Sequence, residues 1–192
     1  AQVRHPNVVH VYDVEASDIQ VFVVMELVVG THLAAWLRVR ERPWTEIVDI
    51  FLAAGEGLAA SHAAGVVHRD FKPENVLLGS DGRVRVVDFG LVRWAEDDDG
   101  PPITEAGILA LDQSITPAGA AVGTPRYMSP EQIRAHPVGP AADQFSYFVC
   151  LYEAVTGQRP FLGDNMAALM RAVTAPGSLR AVGFDPATSS AP

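Results

Sequence analysis

The sequence predicts an α+β fold that is mostly helical and contains a little antiparallel sheet. Residues 8–14 and 19–29 form two apolar, strand-like runs separated by a turn at Ser17-Asp18. Apolar residues recur at helical spacing over residues 45–64. Two further short apolar runs flank Ser80-Asp81-Gly82, a pattern typical of a β-hairpin. Strands are therefore expected at the N-terminal end and in the middle of the chain, with helices between and after them.

The composition is that of an ordinary globular domain. The chain has 192 residues, of which 48% are hydrophobic and 19% charged, enough for one sizeable core. Its formal net charge of -9 argues against non-specific binding to nucleic acid. Cys150 is the only cysteine, which excludes an internal disulfide and the cysteine-rich zinc sites. No apolar run is long enough to span a membrane, because the longest, 21–29, contains Glu26.

Two helices are expected after the second strand, which we predict to end at Gly30. Thr31 is the predicted N-cap of a short helix that runs to about Arg40, and Pro43 interrupts the pattern. The longer helix is expected to end near Ala64, with Gly65 as its C-cap.

The C-terminal half alternates between irregular and helical stretches. Residues 95–121 show no sustained periodicity and predict a long, mobile loop. Helices are predicted from about Val138 through Val155, before Thr156-Gly157, and over about 164–173. From Ala175 onward small residues and proline dominate, and we expect a frayed tail.

The polar residues at the two ends of the hairpin carry the functional signal. The first strand follows His68-Arg69-Asp70-Phe71-Lys72-Pro73-Glu74-Asn75, and the second precedes Asp88-Phe89-Gly90. Because a hairpin brings its ends together, we expect Asp70 and Asn75 to lie near Asp88. Amide and carboxylate oxygens suit hard cations such as Mg²⁺, which complete their shell with water and phosphate. This chemistry fits phosphoryl transfer, which depends mainly on positioned charge.

The motif H-R-D-x-K-x-x-N followed by D-F-G resembles the catalytic core of eukaryotic-like (Hanks-type) serine/threonine protein kinases of bacterial type. The resemblance implies a protein-kinase-like fold, mostly the helical large lobe with a remnant of the small-lobe antiparallel sheet. Residues 1–30 would be that remnant and the hinge, 31–174 the large lobe, and 175–192 the tail. The activation segment would be 88–131, and Ser129 stands where that segment usually has Ala.

The resemblance also implies roles for the motif residues. Asp70 would be the base that accepts the substrate hydroxyl proton, and Lys72 would neutralise charge on the moving phosphoryl group. Asn75 and Asp88 would hold Mg²⁺. Thr124 would bond to the Asp/Lys pair and help to set hydroxyl specificity.

By the same resemblance, ATP would bind next to the hinge. Met25 would be the gatekeeper beside adenine, although plain strand packing is an alternative reading of that residue. Glu26 and Val28 would belong to the hinge, whose backbone groups bind adenine. Leu77 and Asp88 complete the expected nucleotide site.

Three further residues have expected structural or regulatory roles. His68 is interpreted as an apolar-packed histidine near Phe89 rather than as a catalytic group. Asp143 resembles the helix residue that braces the catalytic-loop backbone, with helix capping as the alternative. Arg69 before the base is typical of kinases activated by phosphorylation of the activation loop. The candidate acceptors, which the sequence does not rank, are Thr104, Ser114 and Thr116.

Some parts of the family's domain have no counterpart in the printed sequence. These are the Gly-rich phosphate loop, the strand with the V-A-I-K-type lysine and most of the helix with its glutamate partner. Because efficient transfer needs that ion pair, we expect the 192 residues alone to be inactive as a kinase. The chain starts without Met or a signal-peptide pattern, so we expect a cytoplasmic piece of a longer protein that other segments could anchor to a membrane.

The predicted function is therefore transfer of phosphate from ATP, with Mg²⁺, to Ser and Thr hydroxyls of protein substrates. No nucleic-acid partner and no membrane contact are expected for this segment. The alternative is a non-catalytic kinase-like interaction module, against which the intact Asp70, Asn75 and Asp88 argue. A small-molecule phosphotransferase is disfavoured by residues 123–131, because that segment serves peptide substrates in the family.

Overall fold

The computed structural model describes residues 3–16, 21–89 and 125–175. Its strands are β1 (Val11–Ala16), β2 (Val21–Met25), β3 (Gly30–His32), β4 (Val76–Gly79) and β5 (Val84–Val86). Its α-helices are α1 (Leu33–Val39), α2 (Trp44–Ala63), α3 (Pro130–Ile133), α4 (Pro140–Thr156) and α5 (Met166–Thr174). Two 3₁₀ turns, Pro73–Asn75 and Pro125–Tyr127, precede β4 and α3. The predicted α+β class is confirmed.

The strands of the described ranges form two antiparallel sheets. β1 pairs with β2 so that Val14 lies opposite Val23. In the second sheet β4 lies between β3 and β5. The turn from β4 to β5 contains Gly82 at φ +79°, a conformation that glycine adopts without a steric penalty. The hairpin predicted around this turn is confirmed.

Two predicted boundaries before α1 are wrong. Of the described part of the expected strand, 21–29, only β2 is a strand, and Gly30 begins β3 instead of ending the strand. Thr31 is not the N-cap, because Gly30 and Thr31 both pair with β4 and the chain stays extended as far as His32. Nδ1 of His32 accepts the N–H of Ala35 at 3.1 Å and caps the helix. Sheet pairing has therefore moved the helix start by one residue.

The longer helices agree with their predicted extents. α2 has 20 residues, and its C-cap is Ala64; the predicted C-cap, Gly65, is the next residue and has φ +77°. α4 has 17 residues and ends at Gly157, which is also left-handed. The last helix, α5, is capped by Asn165, whose side chain accepts the N–H of Ala168 at 2.9 Å. α3, a single turn, was not predicted.

One hydrophobic core joins the helices to the β4–β5 hairpin. α2 packs against both α4 and β5. The hydroxyl of Tyr147 on α4 donates to the carbonyl of Phe51 on α2 at 2.9 Å, and the two rings meet edge to face. The large apolar side chains with a relative exposure of 1% or less are Leu33, Phe51, Phe71, Val76 and Val86. α2 thus supports the hairpin whose ends carry the polar motif.

The segment before β1 lies between the hairpin and α2. The N–H of Val86 donates to the carbonyl of Asn7 at 2.9 Å, and Nδ2 of Asn7 donates to the carbonyl of Val84 at 2.8 Å. On the other side, Asn7 approaches Gly57 of α2 so closely that a Cβ there would lie within 2.4 Å of the Asn7 carbonyl oxygen. Glycine at position 57 is therefore required by this contact.

Two further observations concern the helices of the described ranges. None of these helices is both long and apolar enough to cross a membrane. Cys150 on α4 is buried, and burial raises the pKa of its thiol. A buried thiol with a raised pKa carries little thiolate and packs as a small apolar side chain.

The contact at Gly57 gives a matched pair of stability variants. Gly57→Ala gains up to about 1 kcal/mol of helix propensity, but collision with a backbone oxygen costs about 1–3 kcal/mol, so stability should fall. At Gly55 an added Cβ would be 3.4 Å from the Tyr147 hydroxyl, an ordinary contact, so Gly55→Ala should be neutral or stabilising. Denaturant unfolding measures both variants. A Gly57→Ala protein as stable as Gly55→Ala would show that the contact is not tight.

Candidate active site

The candidate site is built on residues 68–75, which we call the catalytic segment. Its backbone is held by Asp143, a fully buried residue of α4. The two carboxylate oxygens of Asp143 accept the N–H groups of His68 and Arg69, each at 2.7 Å. Nε2 of His62 on α2 lies 2.7 Å from the same carboxylate. Asp143 therefore joins α2, α4 and the catalytic segment, which confirms its predicted bracing role.

Backbone strain is concentrated at the predicted catalytic residues. Arg69 has φ +67° and Asp88 has φ +59°; Ala135 is the third non-glycine residue with positive φ in the described ranges. Such conformations cost of order 1–3 kcal/mol and persist where the surroundings over-determine them. At Arg69 the surroundings include the Asp143 carboxylate, which fixes the N–H of the strained residue.

His68 is fully buried and connects the catalytic segment to β5. Its Nδ1 accepts the N–H of Asp70 at 3.3 Å, and its Nε2 lies 2.8 Å from the carbonyl of Val87. Only the neutral ring with the proton on Nε2 satisfies both bonds. Burial lowers the pKa of His68, which favours this neutral form. The ring lies 4.7 Å from that of Phe89, so the predicted structural role beside Phe89 is confirmed.

Asp70, Lys72 and Asn75 form one hydrogen-bonded group. Nζ of Lys72 is 2.6 Å from Oδ2 of Asp70. Nδ2 of Asn75 donates to the Asp70 carbonyl at 2.8 Å and to Asp70 Oδ2 at 3.3 Å. Within the described residues, no hydrogen bond reaches Oδ1 of Asp70, and the side chain of Asp70 is 48% exposed. One carboxylate oxygen is thus occupied, and the other has no hydrogen-bond partner among the described residues.

Asp88 lies beside Asn75 because of a backbone bond. The N–H of Val87 donates to the carbonyl of Asn75 at 2.9 Å, which brings the end of the hairpin onto the catalytic segment. Both side-chain bonds of Asn75 use Nδ2, so its Oδ1 is unpaired in the described part of the chain. There, the carboxylate of Asp88 has no partner either. An amide oxygen and a carboxylate in this state fit Mg²⁺ by their chemistry, and the pair stays a prediction.

Among the described residues, no larger metal-binding group accompanies this pair. In the ranges that the structure describes, no group of three or more His, Cys, Asp or Glu side chains is placed to hold a metal ion. A site with only two protein ligands would match Mg²⁺, which usually keeps several waters and binds substrate phosphates.

The predicted hinge residues lie beside the same hairpin. Met25 ends β2, and the N–H of Glu26 donates to the carbonyl of His10 at 2.9 Å. Met25 and Val28 are half-buried. Leu77 on β4 is also half-buried and lies opposite Arg85 of β5. Cross-strand partners share a sheet face, so Leu77 lies on the face whose Arg85 contacts Glu26.

Arg85 is a buried cation that the sequence analysis missed. It is 5% exposed and binds the carboxylates of Glu26, on the predicted hinge, and Asp81, in the hairpin turn. Its hydrogen bond to Asp81 holds the pKa of that carboxyl below its usual value. An arginine between two valines on a short strand was a signal that this position is enclosed and paired.

Of the predicted activation segment 88–131, the structure describes Asp88 and Phe89 at one end and residues 125–131 at the other. Thr124 and the candidate phosphoacceptors Thr104, Ser114 and Thr116 lie outside the described residues. The carbonyl of Tyr127 accepts the hydroxyl of Ser146 on α4 at 2.7 Å. The next residues belong to α3, where Gln132 donates from Nε2 to the carbonyl of Arg69 at 2.6 Å. Sequence reasoning missed this contact; the spacing of Ser129 and Gln132 signals only a helix cap.

The sequence is similar to a family profile and to several named proteins. The profile of the protein kinase domain family matches residues 1–183. The serine/threonine-protein kinase PknL of Mycobacterium tuberculosis is 38% identical over 170 residues, which cover 88% of this chain and 39% of that protein. PknA of the same organism is 36% identical over 171 residues, with coverages of 86% and 36%.

A third relative comes from another genus. The probable serine/threonine-protein kinase PkwA of Thermomonospora curvata is 45% identical over 128 residues, which cover 65% of this chain and 15% of that protein. The chain thus spans less than two fifths of the length of the curated relatives PknL and PknA.

The buried, neutral His68 predicts a pH dependence of stability. In the unfolded chain His68 takes up a proton as the pH falls through about 6.5, whereas the folded chain resists it because the pKa is lowered. Unfolding free energy should therefore be lost below pH 6.5, by at most about 1.4 kcal/mol per pH unit for one proton.

This pH effect is measured by denaturant unfolding at pH 7.5, 6.5 and 5.5, with His68→Gln as the comparison. The variant loses the titrating group, so its stability should decline less steeply below pH 6.5. Its stability at pH 7.5 serves as the control, since that value reports the lost packing alone. Parallel decline of the two proteins would contradict a neutral buried His68.

Proposed function

The chain belongs to the protein kinase domain family, and from that premise we propose that the protein transfers the γ-phosphate of ATP to Ser and Thr hydroxyls of other proteins. Support comes from relatives that are named serine/threonine-protein kinases. The observation that carries the proposal is the state of Asp70. One of its oxygens is held by Lys72 at 2.6 Å, while the other is unpaired among the described residues.

Asp70 is the proposed base. Oδ1, unpaired among the described residues, would accept the proton of the substrate hydroxyl. Meanwhile the hydroxyl oxygen forms a bond to the γ-phosphorus, and the bond from that phosphorus to ADP breaks. The hydrogen bonds to Oδ2 and to the Asp70 carbonyl hold the carboxylate in one orientation. Orientation of this kind is a large part of what a phosphotransferase supplies.

Lys72 and the pair Asn75 and Asp88 are the proposed charge-handling groups. The ammonium of Lys72 would contact both the base and the transferring phosphoryl group. Oδ1 of Asn75 and the carboxylate of Asp88 would hold Mg²⁺, which when bound neutralises charge on the phosphate oxygens. Thr124 is proposed to contact Asp70 and Lys72 from the activation segment.

ATP is proposed to bind between the hinge and the hairpin. Backbone groups of Glu26 and Val28 would hydrogen-bond adenine, with Met25 and Leu77 packing beside the base. The half-buried state of Met25, Val28 and Leu77 supports this arrangement, because such side chains can contact a ligand without leaving the core. ATP-dependent transfer also favours a cytoplasmic position for the segment.

The protein substrates would be recruited beside the activation segment. Residues 88–131 include the proposed phosphoacceptors Thr104, Ser114 and Thr116, and phosphate on one of them would pair with Arg69. The net charge of -9 supports a protein rather than a nucleic-acid partner.

The proposal is tested with Asp70→Asn in the full-length protein. Loss of the base should lower the rate of transfer from ATP to a Ser/Thr peptide by about 10²–10⁴-fold, while the binding of a fluorescent ATP analogue with Mg²⁺ stays unchanged. Glu74→Gln is the matched control, since Glu74 is an exposed carboxylate in the same segment. It should retain the wild-type rate.

The 192-residue chain alone serves as a further control and should show no turnover, because the printed sequence contains no Gly-rich loop or strand lysine. Retained autophosphorylation in Asp70→Asn would exclude Asp70 as the base. A wild-type protein that binds ATP but transfers nothing would favour a non-catalytic interaction module.

A further inference from the structure

We infer that Gln132 is a positioning residue for Asp70, an inference that rests on the proposed function. Gln132 lies on α3, 63 positions after Arg69 in sequence. Its Nε2 donates to the carbonyl of Arg69 at 2.6 Å. That carbonyl belongs to the peptide group between Arg69 and Asp70, so Gln132 acts on the backbone immediately before the proposed base.

Both edges of this peptide group are held by side chains. Its oxygen accepts from Gln132, and its N–H, that of Asp70, donates to Nδ1 of His68 at 3.3 Å. A peptide plane that is bonded on both edges cannot rotate without breaking a bond. The direction in which Cα of Asp70 projects its carboxylate is thereby fixed.

Both backbone polar groups of Arg69 are also hydrogen-bonded to side chains. Its N–H is bound by Asp143 of α4 and its carbonyl by Gln132 of α3. The residue has φ +67°, a conformation that an arginine keeps only when its surroundings impose it. Asp143 holds the backbone N–H of this strained residue, and Gln132 holds its carbonyl, which precedes Asp70.

The orientation of the Gln132 amide is determined by a second contact. Its Oε1 accepts the N–H of Ser129 at 3.0 Å, while the Gln132 N–H donates to Oγ of Ser129 at 3.4 Å, which forms a capping box at the start of α3. Ser129 is fully buried. Because Oε1 must face a donor, Nε2 is left to face the Arg69 carbonyl.

The hydrogen bond from Gln132 to Arg69 therefore links α3 to the catalytic segment. α3 begins within the last residues of the activation segment predicted from sequence, 88–131, and its capping box includes Ser129, the position where Ala is usual. A displacement of α3 would remove the donor from the Arg69 carbonyl and free the peptide group before Asp70. Through Gln132, the position of α3 thus determines whether the peptide group before Asp70 is held in place.

Three variants of the full-length protein separate this bond from the helix cap. Gln132→Glu keeps an oxygen acceptor for the Ser129 N–H but removes the donor to Arg69. Gln132→Met removes both without adding charge. Ser129→Ala removes only the capping hydroxyl and is the matched control.

Both Gln132 variants should lower kcat about tenfold, with KM for ATP and for the peptide within about twofold of the wild type. Amide hydrogen exchange without nucleotide should quicken about tenfold at Asp70 in both variants, while amides of α2 keep their wild-type rates. Ser129→Ala should change neither kcat nor the exchange at Asp70 by more than about twofold, although its melting temperature can fall.

Unchanged exchange at Asp70 in Gln132→Glu would overturn the inference. An equal effect of Ser129→Ala on kcat would also overturn it, because the effect would then belong to the helix cap. If Gln132→Met does not fold, Gln132→Glu alone decides, since it keeps the capping acceptor. If the wild type transfers no phosphate, the proposed function fails, and the exchange rates at Asp70 still test the role of Gln132.

Discussion

The candidate site depends on one buried carboxylate. Asp143 accepts the N–H groups of His68 and Arg69 and contacts His62, so one side chain fastens α2, α4 and the catalytic segment to each other. An unpaired buried carboxylate is costly, and three partners remove that cost. Because Asp143 lies in a 17-residue helix that packs in the core, its hydrogen bonds fix the backbone of the catalytic segment relative to the core. The exposed Asp70 can therefore have a defined direction although it lies in an irregular loop.

The hairpin forms the second half of the site, and hydrogen bonds also hold it against the catalytic segment. Backbone bonds join Asn75 to Val87, and the buried His68 ring bridges from the segment to the carbonyl of Val87. These bonds bring the backbone next to Asp88 onto Asn75, whose amide oxygen is unpaired among the described residues. Arg85 also ties the hairpin to Glu26 of the proposed hinge. The residues proposed for the nucleotide, the metal and the base therefore lie on the catalytic segment, the hairpin and the adjoining hinge.

The motif and the hairpin could be predicted from sequence because their signals are local. Ser80-Asp81-Gly82 specifies a turn, and the spacing to Asp88 then follows from strand geometry. The N-cap of α1 was predicted at Thr31 and is His32, because pairing with β4 is a tertiary interaction that no local pattern reveals. The Gln132 contact spans 63 positions and was missed for the same reason. Residues 90–124, with Thr124, lie outside the described structure, and their roles stay predictions.

The most direct test of this account is the amide hydrogen exchange of His68 and Arg69 in the full-length protein and its Asp143→Asn variant. Asparagine keeps the size of the side chain but turns one acceptor into a donor. The account predicts that both amides are protected in the wild type and that at least one exchanges about tenfold faster in the variant, which is the loss expected for one hydrogen bond. Exchange at unprotected rates in the wild type, or equal protection in the two proteins, would contradict it.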